Sequence, residues 1–185
     1  MAHTKRLNAI IRRVEPALES IFLDCSVRRL NQLAARIDDC VGRLSTEQLW
    51  SRGGQNQNAA GNLVLHLAGN LRQWIVSGVG GAPDARDRDA EFAARGGFGA
   101  QELRDRLGAA VSEAGAVIAV LPPARLAAHV RIQGYDVTVL EAIYHVVEHF
   151  AQHTGQIIFA AKAATGADLG YFAHLSQSAH GQKTP

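Results

Sequence analysis

Cysteine is almost absent from this 185-residue chain, which carries only Cys25 and Cys40. Two are too few for a disulfide framework, and they lack the C-x-x-C spacing of a zinc knuckle or redox pair, so both are expected to be reduced thiols of the core. An excess of one charge is also missing, because 19 Lys and Arg face 17 Asp and Glu for a net +2. The basic residues are scattered rather than gathered, which argues against nucleic acid as a partner. No stretch approaches the ~18 consecutive apolar residues of a membrane span. The first residues include several cations but only the short apolar run Ala9 to Ile11, without the apolar centre of an export signal. The sequence therefore predicts no membrane partner and a cytoplasmic location. Its length suits one domain over residues 1–185, large enough to bury a core without staples, so a metal ion here need not be structural.

What the chain does have is helical periodicity. Leu23, Val27, Leu30, Ala34, Ile37, Val41 and Leu44 recur at spacings of three and four, the stripe of a long first helix within residues 18–44. After the polar stretch SRGGQNQN, the segment NLVLHLAGNLRQWIVSGV predicts a second helix over about residues 60–77. A Gly-rich, charged connection follows, GGAPDARDRDAEFAARGGFG, with no sustained period. A connection of that length in a compact domain is either a crossover between distant helix ends or a functional loop. Leu103, Leu107, Ala110, Val111, Ala114, Val117 and Ile118 mark a third helix, stopped by Pro122 and Pro123. Alternating Val130, Ile132, Tyr135 and Val137 around Gly134 suggest a short extended excursion. Thr138 and Glu141 form a T-x-x-E capping box at the start of a fourth helix that runs to about Ala164, with Gly166 as its stop. Four helices and one long connection predict an all-α four-helix bundle over about residues 18–165, with a crossover between helices two and three and a polar tail after Tyr171.

The fourth helix carries His145, His149 and His153 in EAIYHVVEHFAQHTGQ. At ~1.5 Å per residue the outer two lie about 12 Å apart along the axis, whereas a metal–imidazole bond is ~2.0 to 2.1 Å, so one ion cannot hold all three. On a helical wheel His149 and His153 share the inward face of Ala142, Val146, Ile157 and Ala160, while His145 turns to the rim. A pair leaves an ion undercoordinated, and the third ligand must come from elsewhere. Of His3, His66, His129, His174 and His180, only His66 lies in a strongly apolar helix. It shares a polar strip there with Asn62, Asn70 and Gln73, and such a strip inside a buried segment must be satisfied by something. Glu148 precedes His149 in the order E-H-x-x-x-H, which turns it away from the metal-facing stripe and unlike the H-E-x-x-H arrangement.

NLVLHLAGN on helix two with HFAQHTGQI on helix four resembles the DinB/YfiT-like superfamily of metal-binding four-helix bundles. LSTEQLWSR, RDRDAEF and VRIQGYDVTVLEAI extend the likeness over about residues 18–175, toward a branch of uncharacterised function. The resemblance implies an up-down-down-up helix order and a nickel or zinc ion on His66, His149 and His153. Asn62, Asn70, Gln73, Gln156 and His145 are then the candidates to steady those ligands or face a small-molecule substrate. Relatives of this kind use a low-molecular-weight thiol as cosubstrate or act as metal-dependent hydrolases. The expected function is a metalloenzyme that activates a thiol for transfer to an electrophile. A hydrolase using metal-bound hydroxide is the alternative, weakened by the lack of an inward carboxylate, and a binding module without turnover is a third. Trp50, Trp74 and Phe98, near helix ends and the crossover, together with the apolar stripe of helix one, suggest a homodimer.

Overall fold

The computed structural model describes residues 17–176 and residue 181. His3 and His180, and the tail beyond Ser176 apart from residue 181, lie outside them. The described chain is mostly helical. Helix α1 spans Leu18–Gly42, and the stripe facing the core consists of Leu23, Leu30, Leu33, Ile37, Cys40 and Val41, joined by Ser26. Val27 and Ala34, expected on that stripe, sit half-buried at its edge. Cys25 corrects the sequence expectation, since it is exposed. Two residues beyond Leu23, it points to the opposite side of the helix.

A single turn of helix, α2 at Thr46–Trp50, follows α1 and is fixed by a capping box between Ser45 and Gln48. Helix α3, Ala60–Leu71, is apolar nearly all round and accordingly buried. It continues through Arg72–Val79 in wider turns in which backbone bonds skip a fifth residue, as from Gly80 N to the Ile75 carbonyl at 2.8 Å. The crossover then contains a short helix without a periodic signature in the sequence, α4 at Arg88–Ala93, capped by Asp87 accepting from Ala90 N. Six residues are too few for a hydrophobic period to register. Helix α5 spans Ala100–Ala119 and ends before Pro122 and Pro123.

The extended excursion is a hairpin, with β1 at His129–Ile132 and β2 at Tyr135–Thr138 in antiparallel register. Its two-residue turn, Gln133 and Gly134, takes positive φ at both positions, 52° and 84°, as the twist of paired strands demands. Thr138 ends β2 and also caps α6, which spans Val139–Thr165 and stops at Gly166 in the left-handed region. Helix α1 packs on α5 and α6, and α3 packs on the same two helices. The core runs continuously between them, with Ile37, Leu67, Leu71, Ile118, Ile143, Phe150 and Ile157 fully buried. Downstream, the Tyr171 hydroxyl lies 2.9 Å from Asp39 Oδ2 and 3.1 Å from the Arg36 carbonyl, tying the segment after α6 back to α1.

Candidate metal centre

The interior of α3 and α6 brings three histidines together. His66 comes from the middle of α3, and His149 and His153 lie one turn apart on α6. His149 Nε2 is 3.0 Å from His66 Nε2 and 3.1 Å from His153 Nε2. The ligand atoms of all three lie within 4.8 Å of one another. For comparison, two ligands of a tetrahedral ion with bonds of ~2.0 to 2.1 Å sit roughly 3.3 Å apart.

What holds the outer rings decides their protonation. His66 Nδ1 is 3.1 Å from Glu91 Oε2, and His153 Nδ1 is 2.6 Å from Gln156 Oε1. An acceptor at Nδ1 favours the tautomer of a neutral imidazole that carries its proton there and leaves a lone pair on Nε2. His149 Nδ1 is buried without a partner, and its Nε2 faces the other two. The Nε2 atoms of His66 and His153 both face that of His149, and three imidazole nitrogens converging on one small volume are a donor set that fits a divalent ion.

The electrostatics agree. Burial first, then the positive fields of His153, His66, His145 and Arg86, drive the His149 imidazole down to about 3. Burial also lowers His153, against the opposing hydrogen bond of Gln156. Both rings are neutral near pH 7, as a ligand must be.

Glu91 enters the site from α4, and the sequence reasoning did not single it out. Arg86, only 3% exposed at its side chain, donates through Nε to Glu91 Oε1 and through Nη2 to Oε2, each at 2.8 Å. Burial works to raise the Glu91 carboxyl, but the hydrogen bonds from Arg86 and His66 outweigh it and hold the group below its ordinary range. A Cβ at position 69 would collide with Glu91 Oε1, so Gly69 on α3 is what lets the carboxylate reach this depth.

The remaining expected residues take separate parts. Asn62 holds the crossover: its Nδ2 donates to the carbonyls of Glu91 and Ala94 at 2.8 and 2.9 Å, and its Oδ1 accepts from Arg52 and Ala59 N. Gln73 accepts from Arg86 Nη1 at 2.9 Å and donates to Asp84 at 2.8 Å. Asn70 is buried on α3, one turn beyond His66. His145 stacks between Trp74 and His149, with ring centroids 4.2 and 5.6 Å away, and burial lowers its pKa. Phe92 packs on His66, with ring centroids 4.6 Å apart. His129 pairs with Asp136 on the exposed hairpin and is not among the clustered histidines. Gln156, besides holding His153, lines a cavity of about 620 Å³ with Ser51, Asn56, Asn58, Phe159 and Ala160.

Residues 18–176 match the family described as protein of unknown function DUF1572. The chain belongs to this family. No curated protein matches it. Among solved structures, the fold is similar to a crystal structure of the conserved protein of a locus from Enterococcus faecalis, with a TM-score of 0.67 at 14% identity. The alignment covers 78% of this chain and 97% of that one, and at such identity the likeness shows the fold alone. The family match takes in all three histidines and Glu91, so the cluster lies wholly inside the shared domain. A buried glutamate in a charged connection leaves no periodic signal; its trace in the sequence is its place in RDRDAEF, downstream of the helix that carries His66.

Proposed function

We propose that this member of the DUF1572 family is a DinB/YfiT-like four-helix bundle, one metal-binding domain with up-down-down-up helix order, that holds nickel or zinc on His66, His149 and His153. The observation that carries the reading is the convergence of three Nε2 atoms whose outer rings are held by acceptors at Nδ1. We further propose that it is a metalloenzyme transferring a low-molecular-weight thiol to an electrophile. The ion's contribution would be to make the thiolate the stable form of the thiol at neutral pH.

The chain's own residues supply the setting. Phe92 against His66, and His145 with Trp74 beside His149, set aromatic rings next to the histidines, which keeps bulk water from the faces they cover. The cavity beside Gln156 has a volume within the ~300 to 1,000 Å³ typical of small-molecule sites. Hydrolysis is the weaker alternative, because it asks for a carboxylate free to move protons. Glu91 is the carboxylate at the cluster, and both of its oxygens are engaged by Arg86 and His66. Exposed Glu148 accepts from Gln152 on the outside of α6.

Elemental analysis of protein purified without a His tag or added metal tests the first part. One nickel or zinc per chain is expected, lost in a His149→Ala, His153→Ala double variant and retained in His145→Ala. Unchanged stoichiometry in the double variant would sink the metal reading. A panel of cellular thiols with a chlorinated aromatic electrophile tests the second. Turnover of esters or amides with no thiol dependence would replace transfer with hydrolysis, and an inert, metal-loaded protein would mark a binding module.

A further inference from the structure

We propose that Glu91, held in place by Arg86, is a positioning residue for His66: it fixes the Nδ1–H tautomer and the plane of the ring, so that the Nε2 lone pair faces His149 and His153. The inference rests on the ion-binding reading above and assigns the crossover a part in it.

Three independent features place Glu91. Its backbone is anchored, because Asn62 donates to the Glu91 and Ala94 carbonyls while Arg52 donates to those of Phe92 and Ala94. Its side chain cannot swing, because Arg86 grips both oxygens and is itself held through Nη1 by Gln73. The space it fills exists only because residue 69 has no side chain. A buried, doubly anchored carboxylate 3.1 Å from the distal nitrogen of a histidine is the arrangement that orients metal ligands and raises their basicity.

The structure also contains the competing arrangement. Arg86 Nη2 lies 2.9 Å from His66 Nδ1 and could donate to it, with His66 then donating from Nε2 to His149. That tautomer would set the Nδ1 lone pair against Glu91 Oε2 in a site closed to water. Arg86 Nη2 is closer to Glu91 Oε2, at 2.8 Å, and a cation is drawn more strongly to an ionised carboxylate, which it meets here through two parallel bonds, than to the nitrogen of a neutral ring. The guanidinium therefore goes to Glu91, and the His66 proton sits on Nδ1.

Imidazole nitrogen NMR on the full chain, stripped of metal and held near pH 8, reads the tautomer of His66 directly and needs no variant. Protonation at Nδ1 is expected, and protonation at Nε2 would overturn the proposal. Competition titrations with zinc then compare variants. Glu91→Ala is expected to weaken zinc binding by about 10- to 100-fold and to give mixed His66 tautomers. Glu91→Gln, whose side-chain carbonyl still accepts from Nδ1–H, should recover part of the loss. Asn62→Ala releases the crossover but keeps the carboxylate, so it should lower the melting temperature with a smaller loss of zinc affinity than Glu91→Ala. Parental affinity in Glu91→Ala, or an equal loss in Asn62→Ala, would reduce Glu91 to a tether and defeat the proposal. Full zinc binding by His66→Ala would instead remove the ion-binding reading beneath it.

Discussion

At the scale of the residue, α6 carries a row of histidines whose protonation the fold opposes. Burial is the first cause for His145, His149 and His153 alike, and His149 is driven down to about 3. An unfolded histidine takes its proton near pH ~6.5. As pH falls below that value, the unfolded state binds protons that the folded state refuses, so stability drops. Glu91, lowered by Arg86 and His66 despite its burial, acts with the same sign at the acid end of the window. The metal-free chain is thus expected to lose stability progressively from about pH 6.5 down toward pH 3. Urea midpoints measured at about pH 8, 6 and 4 after chelator treatment check this, and a constant midpoint would contradict it. Bound metal should leave over the same window, since each ligand must give up its lone pair to a proton.

At the scale of the element, the crossover is the least regular segment of the chain yet delivers the carboxylate, and α3 is shaped to receive it. Gly69 lies near the end of α3, where alanine would ordinarily gain about 1 kcal/mol by helix propensity. Here the added methyl meets Glu91 Oε1 and approaches Arg86 Nε, both packed in place. The collision is expected to outweigh the propensity gain because moving the carboxylate aside disturbs its paired bonds to Arg86. Gly69→Ala is therefore expected to lower the melting temperature and weaken zinc binding together. Calorimetry showing a higher melting temperature would mean that Glu91 moves aside freely. The capping box at the start of α6 offers a simpler case: Thr138 Oγ1 accepts from Glu141 N at 3.2 Å, and Thr138→Ala should cost about 1 kcal/mol in a chemical denaturation series without altering metal content.

At the scale of the whole molecule, large rings expected to cover a partner turn out to be covered by the chain itself. Trp74 is 4% exposed, and Trp50 is half-buried and donates from Nε1 to the Phe98 carbonyl at 3.0 Å. Apolar surface remains elsewhere, with Tyr144 at 61% and Phe159 at 76% exposed along α6. We retain the homodimer as a proposal on that surface, and light scattering at micromolar concentration should return twice the chain mass. The mass of one chain would remove the dimer and leave the candidate metal centre unaffected. No helix among the described residues is long and apolar enough to cross a membrane.

Local chemistry made much of this protein legible in its sequence. The stripe from Leu23 to Leu44, the paired prolines, the T-x-x-E box and Gly166 act within a few residues of chain, so the bounds of the long helices and the cap of α6 follow from spacing alone. The same periodicity puts His149 and His153 on one face of α6 and turns His145 aside, because i and i+4 side chains share a face whatever the helix packs on. It could not say what lies across from that face. The meeting of His66 with His149, the arrival of Glu91 beneath Gly69, and the use of Asn62 as an anchor for the crossover all join residues far apart in the chain. Trp74 exchanged its expected surroundings for the same reason. Burial and pairing of this kind depend on which helix faces are brought together, and only the packed structure specifies that.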